Sequence, residues 1–224
     1  VTLIELSNIN NPLLRELAEK APGTFQHSMQ VSTLAAEAAR RLKANPALVR
    51  TAALYHDIGK IDSAPFFTEN QSGVNPHDRL TPQESARIIT GHVEKGLELA
   101  DKYGLPQAIR GFISSHHGKG VARYFYIKYQ QAHPDLAADP HDFSYPGPNP
   151  DSKEKAIVMM ADAVEAASRS LKEYTEESIG EMVDRIIDTQ VQEGYFMDCP
   201  ISWQEINRVK ETLKEKPRTL YHTR

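Results

Sequence analysis

Seven side chains in this 224-residue sequence could do chemistry together: His27, the adjacent pair His56-Asp57, His92, the adjacent pair His116-His117, and Asp162. The stretch Leu54-Tyr55-His56-Asp57-Ile58-Gly59-Lys60 is central to them. A helix from about Pro46 carries Leu48, Ala52 and Tyr55 at three-to-four spacing on its buried side. It is expected to stop near Gly59, because glycine accepts the left-handed conformation. His56 and Asp57 then fall on its last turn. Adjacent side chains on a helix point about 100° apart, so an imidazole and a carboxylate placed there share one cleft only if they grip something from two sides. A metal ion fits that description.

A His beside an Asp is by itself an ordinary capped or solvated helix end, and His92 taken alone reads more plainly as a hydrogen-bonded core histidine. The set reads differently. Five of the nine histidines lie where a helix presents its apolar face or has just ended, whereas His77, His133, His141 and His222 fall in polar or loop-like sequence. Seven potential ligands from five helices are too many for one tetrahedral ion and suit two ions sharing a bridging group. Burying so many titratable groups without a compensating cation would be very costly.

Composition narrows the classes. A chain of this length can bury a self-sufficient core as one domain, 1–224. Net charge is −4 with both signs interspersed, so no face is built to hold a nucleic-acid duplex by counterion release. The single cysteine, Cys199, excludes an internal disulfide and a cysteine-based zinc site, leaving nitrogen and oxygen to hold any metal. No run approaches the roughly 20 apolar residues of a membrane helix, and no signal peptide is present. The piece is expected to be soluble and to insert no segment of its own into a membrane. It begins Val1-Thr2-Leu3 without an initiator methionine, as an excised part of a longer protein would.

The elements that must position these residues are helical throughout. A lead-in helix is expected over 1–20, ending at Ala21-Pro22-Gly23. Thr24 then offers an N-cap to a helix with His27 in its first turn and with Met29, Val31, Leu34, Ala35, Ala38 and Leu42 on its apolar side. Ser63 to Arg79 reads as an ordered loop. Thr81-Pro82-Gln83-Glu84 is a strong helix start, with His92 on the face of Ile88, Ile89 and Val93. Ile109, Phe112, Ile113 and His116 recur at i, i+3, i+4 and i+7. Residues 133–151 hold five prolines among acidic and small residues and read as a surface excursion. Lys153 to Tyr174 is expected to be one helix carrying Asp162, followed by helices capped at Thr175 and Ser202. No sustained β-type alternation and no repeat occurs, so the fold is expected to be an all-α helical bundle.

His27, His56-Asp57, His92, His116-His117 and Asp162, in this order on successive helices, resemble the HD-domain metal-dependent phosphohydrolases, and the pair His116-His117 resembles the members with a binuclear centre. Ala21 to Ser28, Phe66-Phe67-Thr68-Glu69-Asn70-Gln71, Asn75-Pro76-His77-Asp78 and Asp162 to Arg169 are similar to the cytoplasmic HD domain of seven-helix membrane receptors that hydrolyse cyclic di-AMP. The resemblance spans nearly the whole chain. It implies that His27, His56, Asp57 and Asp162 hold one divalent ion, that Asp57 bridges, and that His92, His116 and His117 hold the second. Mixed imidazole and carboxylate ligation suits iron or manganese, with zinc also open. It implies a cytoplasmic domain of a membrane-anchored parent, cyclic di-AMP as the bound partner, and compatibility with a homodimer. The Gly-Tyr-Pro signature of the related cyclic di-GMP enzymes is absent, since Gly118-Lys119-Gly120-Val121 follows His117 and the Tyr-Pro pair, Tyr145-Pro146, follows Ser144.

Two ions would lower the pKa of a shared water enough to supply hydroxide near neutral pH and would clamp phosphate oxygens. Asp57 and Lys60 are then the expected catalytic residues. Lys60 and Arg169 are candidates to bind phosphate oxygens, each with a plain alternative as a solvated surface cation. Tyr124, with Phe125 and Tyr126, is a candidate to stack on a base. Other readings remain open: an HD phosphohydrolase acting on cyclic di-GMP or a mononucleotide, a nucleotide sensor without turnover, or a metal oxygenase on the same scaffold.

Overall fold

The computed structural model describes residues 2–215, so His222 lies outside the described residues. Among the described residues ten α-helices follow one another: α1 (Leu3–Leu6), α2 (Pro12–Lys20), α3 (Pro22–Arg41), α4 (Pro46–Tyr55), α5 (Pro82–Lys102), α6 (Gln107–Ser115), α7 (Arg123–Ala132), α8 (Lys153–Ser168), α9 (Glu176–Gln192) and α10 (Trp203–Glu215). Among the described residues no β-strand forms, and one isolated bridge joins Val121 to Ser144. The fold is all-α.

The centre of the bundle is α3 laid on α4 and α8, with α2 and α10 on its flanks. Ala35, Ala36, Ala38 and Ala39 of α3 and Ala52 and Ala53 of α4 are fully buried. Their small side chains let the two backbones come close, which a Leu-rich seam would prevent. Starts are fixed locally: Asn45 caps α4, Thr81 and Glu84 form a reciprocal box at α5, and Thr175 caps α9.

Several boundaries differ from the sequence expectation. The lead-in is two helices, because Asn8 to Asn11 turn the chain and Asn11 caps a fresh start at Pro12. Thr24 is not an N-cap: α3 begins at Pro22, and Thr24 is buried inside it. Its N–H donates to Asn70 Oδ1 at 3.0 Å and its hydroxyl to Glu69 Oε1 at 3.0 Å. A distant turn thus satisfies a helix-end donor that has no partner within the helix. The loop 63–79 closes into 3₁₀ turns, and His77 there is buried between Ser85 Oγ and the Phe66 carbonyl. Helix α8 ends at Ser168 rather than Tyr174. The excursion is almost continuously exposed up to Asp142 and alternates between buried and exposed residues after it. Phe143 is buried against Tyr126 and Tyr129 of α7, and the segment after it folds back over the turn that follows α6.

Gly59 is where the expectation had the right residue and the wrong reason. Helix α4 already ends at Tyr55, and Gly59 sits in a 3₁₀ segment without the left-handed conformation. It is glycine because α5 crosses it: a Cβ there would lie 1.7 Å from the His92 carbonyl oxygen and 2.6 Å from the Gly96 nitrogen. Gly59→Ala is therefore expected to push α5 away and cost about 1–3 kcal/mol of unfolding free energy. Denaturant titration reads this directly, and an unchanged midpoint and slope would contradict the close crossing.

Candidate metal centre

The seven residues converge. His27 lies in the second turn of α3, His56 closes α4 with Asp57 next to it, His92 is mid-way along α5, His116 closes α6 with His117 after it, and Asp162 is in the middle of α8. All are buried except His117, which is half-buried. They form two groups, His27-His56-Asp57-Asp162 and Asp57-His92-His116-His117, and within each the ligand atoms lie within 4.8 Å of one another. Asp57 belongs to both. Its Oδ1 is 3.3 Å from His92 Nε2 and 3.2 Å from His116 Nε2. Its Oδ2 is 3.2 Å from His56 Nε2 and 3.6 Å from His27 Nε2.

Backbone geometry aims the imidazoles. In His56, His92 and His116 the Nδ1 faces the carbonyl three residues back, that of Ala53 at 2.5 Å, Ile89 at 2.5 Å and Ile113 at 2.8 Å. With Nδ1–H donating, each neutral ring carries its lone pair on Nε2, toward the cluster. Nδ1 of His27 is held in the same way by the fully buried Glu165 carboxylate, with its Nε2 2.7 Å from Asp162 Oδ1.

This donor set fits a divalent cation. His92 Nε2 and His116 Nε2 face each other at 3.1 Å, and two lone pairs at that distance repel unless a positive charge lies beside them. Burial holds the His92 imidazole below its usual range, and burial together with His116 holds His117 well below it. Both Asp57 oxygens are buried without a hydrogen-bond donor in good geometry. Burial also opposes charge on His56 and His27, but Asp57 and Asp162 around the first, and Asp162 and Glu165 around the second, outweigh it and raise both. In the same way burial opposes the Asp57 and Asp162 carboxylates, and the neighbouring His56, with Lys60 for Asp57 and His27 for Asp162, holds both well below the usual range.

Lys60 is buried rather than a solvated surface cation. Its Nζ lies 3.0 Å from Asp57 Oδ2 and 2.8 Å from Glu69 Oε1, over the Phe67 ring. Burial works against its charge, but the two carboxylates raise its pKa and keep it an ammonium. Glu69 is held at about 2, Lys60 overcoming the opposite effect of burial. Arg169 reaches the same region, with Nη1 3.8 Å from Glu69 Oε2 and Nε 3.6 Å from Glu165 Oε2. Tyr124 does not join them. It is 69% exposed on α7, and its ring meets Phe125 and the Lys128 ammonium. The aromatic rings at the cluster are Tyr145, stacked on His117, and Phe67, edge-on to His92.

Glu165, Glu69 and Tyr145 are the residues that ligand patterning missed. Glu165 was within reach, since it follows Asp162 by one helical turn and shares its face. No spacing pattern ties Glu69 or Tyr145 to the cluster, because both arrive from irregular segments. Two cavities open at the cluster. One of about 640 Å³ is lined by His27, Lys60, Glu69, Asp162 and Arg169, and one of about 480 Å³ runs between α8 and α9 past His116, His117 and Asp162.

The HD-domain family model matches residues 24–167. The chain belongs to the HD-domain family. Among HD proteins it is 44% identical over 223 residues to the cyclic-di-AMP phosphodiesterase PgpH of Listeria monocytogenes, covering 99% of this chain and 31% of that protein. It is 38% identical, with the same coverage, to PgpH of Bacillus subtilis. It therefore spans about a third of the length of these relatives. The crystal structure of the L. monocytogenes PgpH HD domain in complex with cyclic-di-AMP superposes with a TM-score of 0.90 at 43% identity, covering 96% of this chain and 99% of that one. No helix among the described residues is long and apolar enough to cross a membrane.

Added divalent metal should raise the thermal midpoint of chelator-stripped protein, by ~2.7 kcal/mol of stability for each site at a hundredfold excess over Kd. The gain should fade as pH falls, because each Nε2 must be deprotonated to bind. A midpoint indifferent to metal at pH 8 would contradict the fit.

Proposed function

We propose that this HD domain is a two-metal phosphodiesterase that hydrolyses cyclic di-AMP to linear pApA. The observation that carries the substrate is the match, across 96% of the chain, to an HD domain crystallised with cyclic-di-AMP. The converging ligand set supports the chemistry, and two cavities meeting at one cluster suit a ligand with two nucleotide halves.

His27, His56 and Asp162 would hold one ion, His92, His116 and His117 the other, and Asp57 both. A carboxylate has two oxygens to share where an imidazole has one lone pair. Sets of two or three imidazoles completed by carboxylates favour iron or manganese. When bound, such ions acidify water near neutral pH and draw charge from phosphate oxygens. The chain supplies orientation. Lys60, an ammonium pinned between Asp57 and Glu69, offers a remaining N–H to a non-bridging phosphate oxygen, and Arg169, lining the same cavity, presents its guanidinium. By the same reading the domain would lie on the cytoplasmic side of a membrane-anchored parent.

Metal-loaded domain incubated with cyclic dinucleotides and mononucleotides should convert cyclic di-AMP in preference to cyclic di-GMP. One or two hydrogen bonds at the base edge, ~1–3 kcal/mol, suffice for that preference. A reversed preference in direct competition would sink the substrate assignment. Asp57→Ala should deplete both metal positions and abolish turnover, whereas His92→Ala should deplete mainly one. A folded Asp57→Ala protein holding two ions with normal turnover would rule out the shared carboxylate. Lys60→Ala should lower turnover about 10²-fold with both ions retained, and unchanged kinetics would remove Lys60 from phosphate binding.

A further inference from the structure

His117 is held differently from its neighbours. Among the described residues, Nδ1 of His27, His56, His92 and His116 each has an oxygen partner that fixes the ring, and His117 has none. The chain has left α6 by then: the helix ends at Ser115, His116 occupies the cap, and Gly118 takes the left-handed conformation at φ 53°. What faces the His117 imidazole instead is the Tyr145 ring, with centroids 4.3 Å apart and planes at 19°. That is a parallel stack, while the His92 ring meets His117 edge-on at 88°.

The segment carrying Tyr145 is tied to the His117 turn on both sides. Tyr145 N–H donates to the Gly120 carbonyl at 2.8 Å, Ala122 N–H to the Phe143 carbonyl at 2.8 Å, and Lys119 N–H to Asn149 Oδ1 at 2.9 Å. Phe143, buried beneath α7, anchors the segment's near end. The stack is therefore not a chance contact of two mobile side chains, since both backbones are fixed to each other within a few residues of the rings.

We infer that Tyr145 is a positioning residue for the second metal group: its ring face does for His117 what a hydrogen bond at Nδ1 does for the other four imidazoles. An imidazole left free to rotate presents its lone pair to the ion only part of the time, so affinity falls. Partners that orient ligating histidines are typically worth 10–100-fold in metal affinity. The hydroxyl is not required for this, only the aromatic face. The inference rests on the two-ion reading above, and its test separates the two.

The experiment is calorimetric titration of chelator-stripped domain with Mn²⁺, together with metal analysis per chain after dialysis, on wild type, Tyr145→Phe and Tyr145→Leu. Tyr145 also borders a surface cavity of about 750 Å³, so its replacement is not confined by a closed core. Tyr145→Met serves if the leucine variant does not fold. Wild type and Tyr145→Phe should each take two ions with affinities within about threefold of one another. Tyr145→Leu should weaken one binding step 10–100-fold and leave the other unchanged. Two unaltered steps in Tyr145→Leu overturn the inference, as do equal weakening of both steps or a Tyr145→Phe protein as weak as the leucine variant. A wild type that takes one ion overturns the two-ion reading, and the role of Tyr145 with it.

Discussion

Everything at this site follows from one buried carboxylate. Asp57 is 1% exposed, its two oxygens point at different pairs of imidazoles, and neither oxygen meets a hydrogen-bond donor in good geometry. An isolated carboxylate in such surroundings would take up a proton. Asp57 is instead driven strongly toward its charged form, with Lys60 on one side and histidine nitrogens on the other. A charge held there, with lone pairs converging around it, is an arrangement that divalent cations complete.

Keeping that arrangement in register is the work of the helices. Alanine-rich faces bring α3 and α4 together, so that His27 and His56 approach with ring centroids 5.4 Å apart. The absence of a side chain at Gly59 lets α5 bring His92 in beside Asp57. The rings on α4, α5 and α6 are aimed by carbonyls of their own helices, a device that needs no further residue. His27 takes Glu165 instead, and His117 takes Tyr145.

Most of the helices, the caps at Thr81, Thr175 and Ser202 and all seven converging residues were legible in the sequence, because they rest on local signals: apolar spacing, capping boxes, and histidines falling on inward faces. What was not legible depends on contacts between distant segments. Thr24 looked like a cap because its partners, Glu69 and Asn70, lie some 45 residues away. Gly59 looked like a helix stop because a close crossing leaves no mark on the residues around it. Tyr145 figured only as half of a Tyr-Pro pair in a proline-rich stretch that looked like surface, and Tyr124 stood out only because it headed an aromatic run on a helix that buries none of its residues.

The most direct measurement is anomalous diffraction at the metal absorption edge from crystals of metal-loaded protein. Two peaks are predicted, one among His27, His56 and Asp162 and one among His92, His116 and His117, with the Asp57 carboxylate between them. A single peak, or two peaks of which only one touches Asp57, would contradict the account.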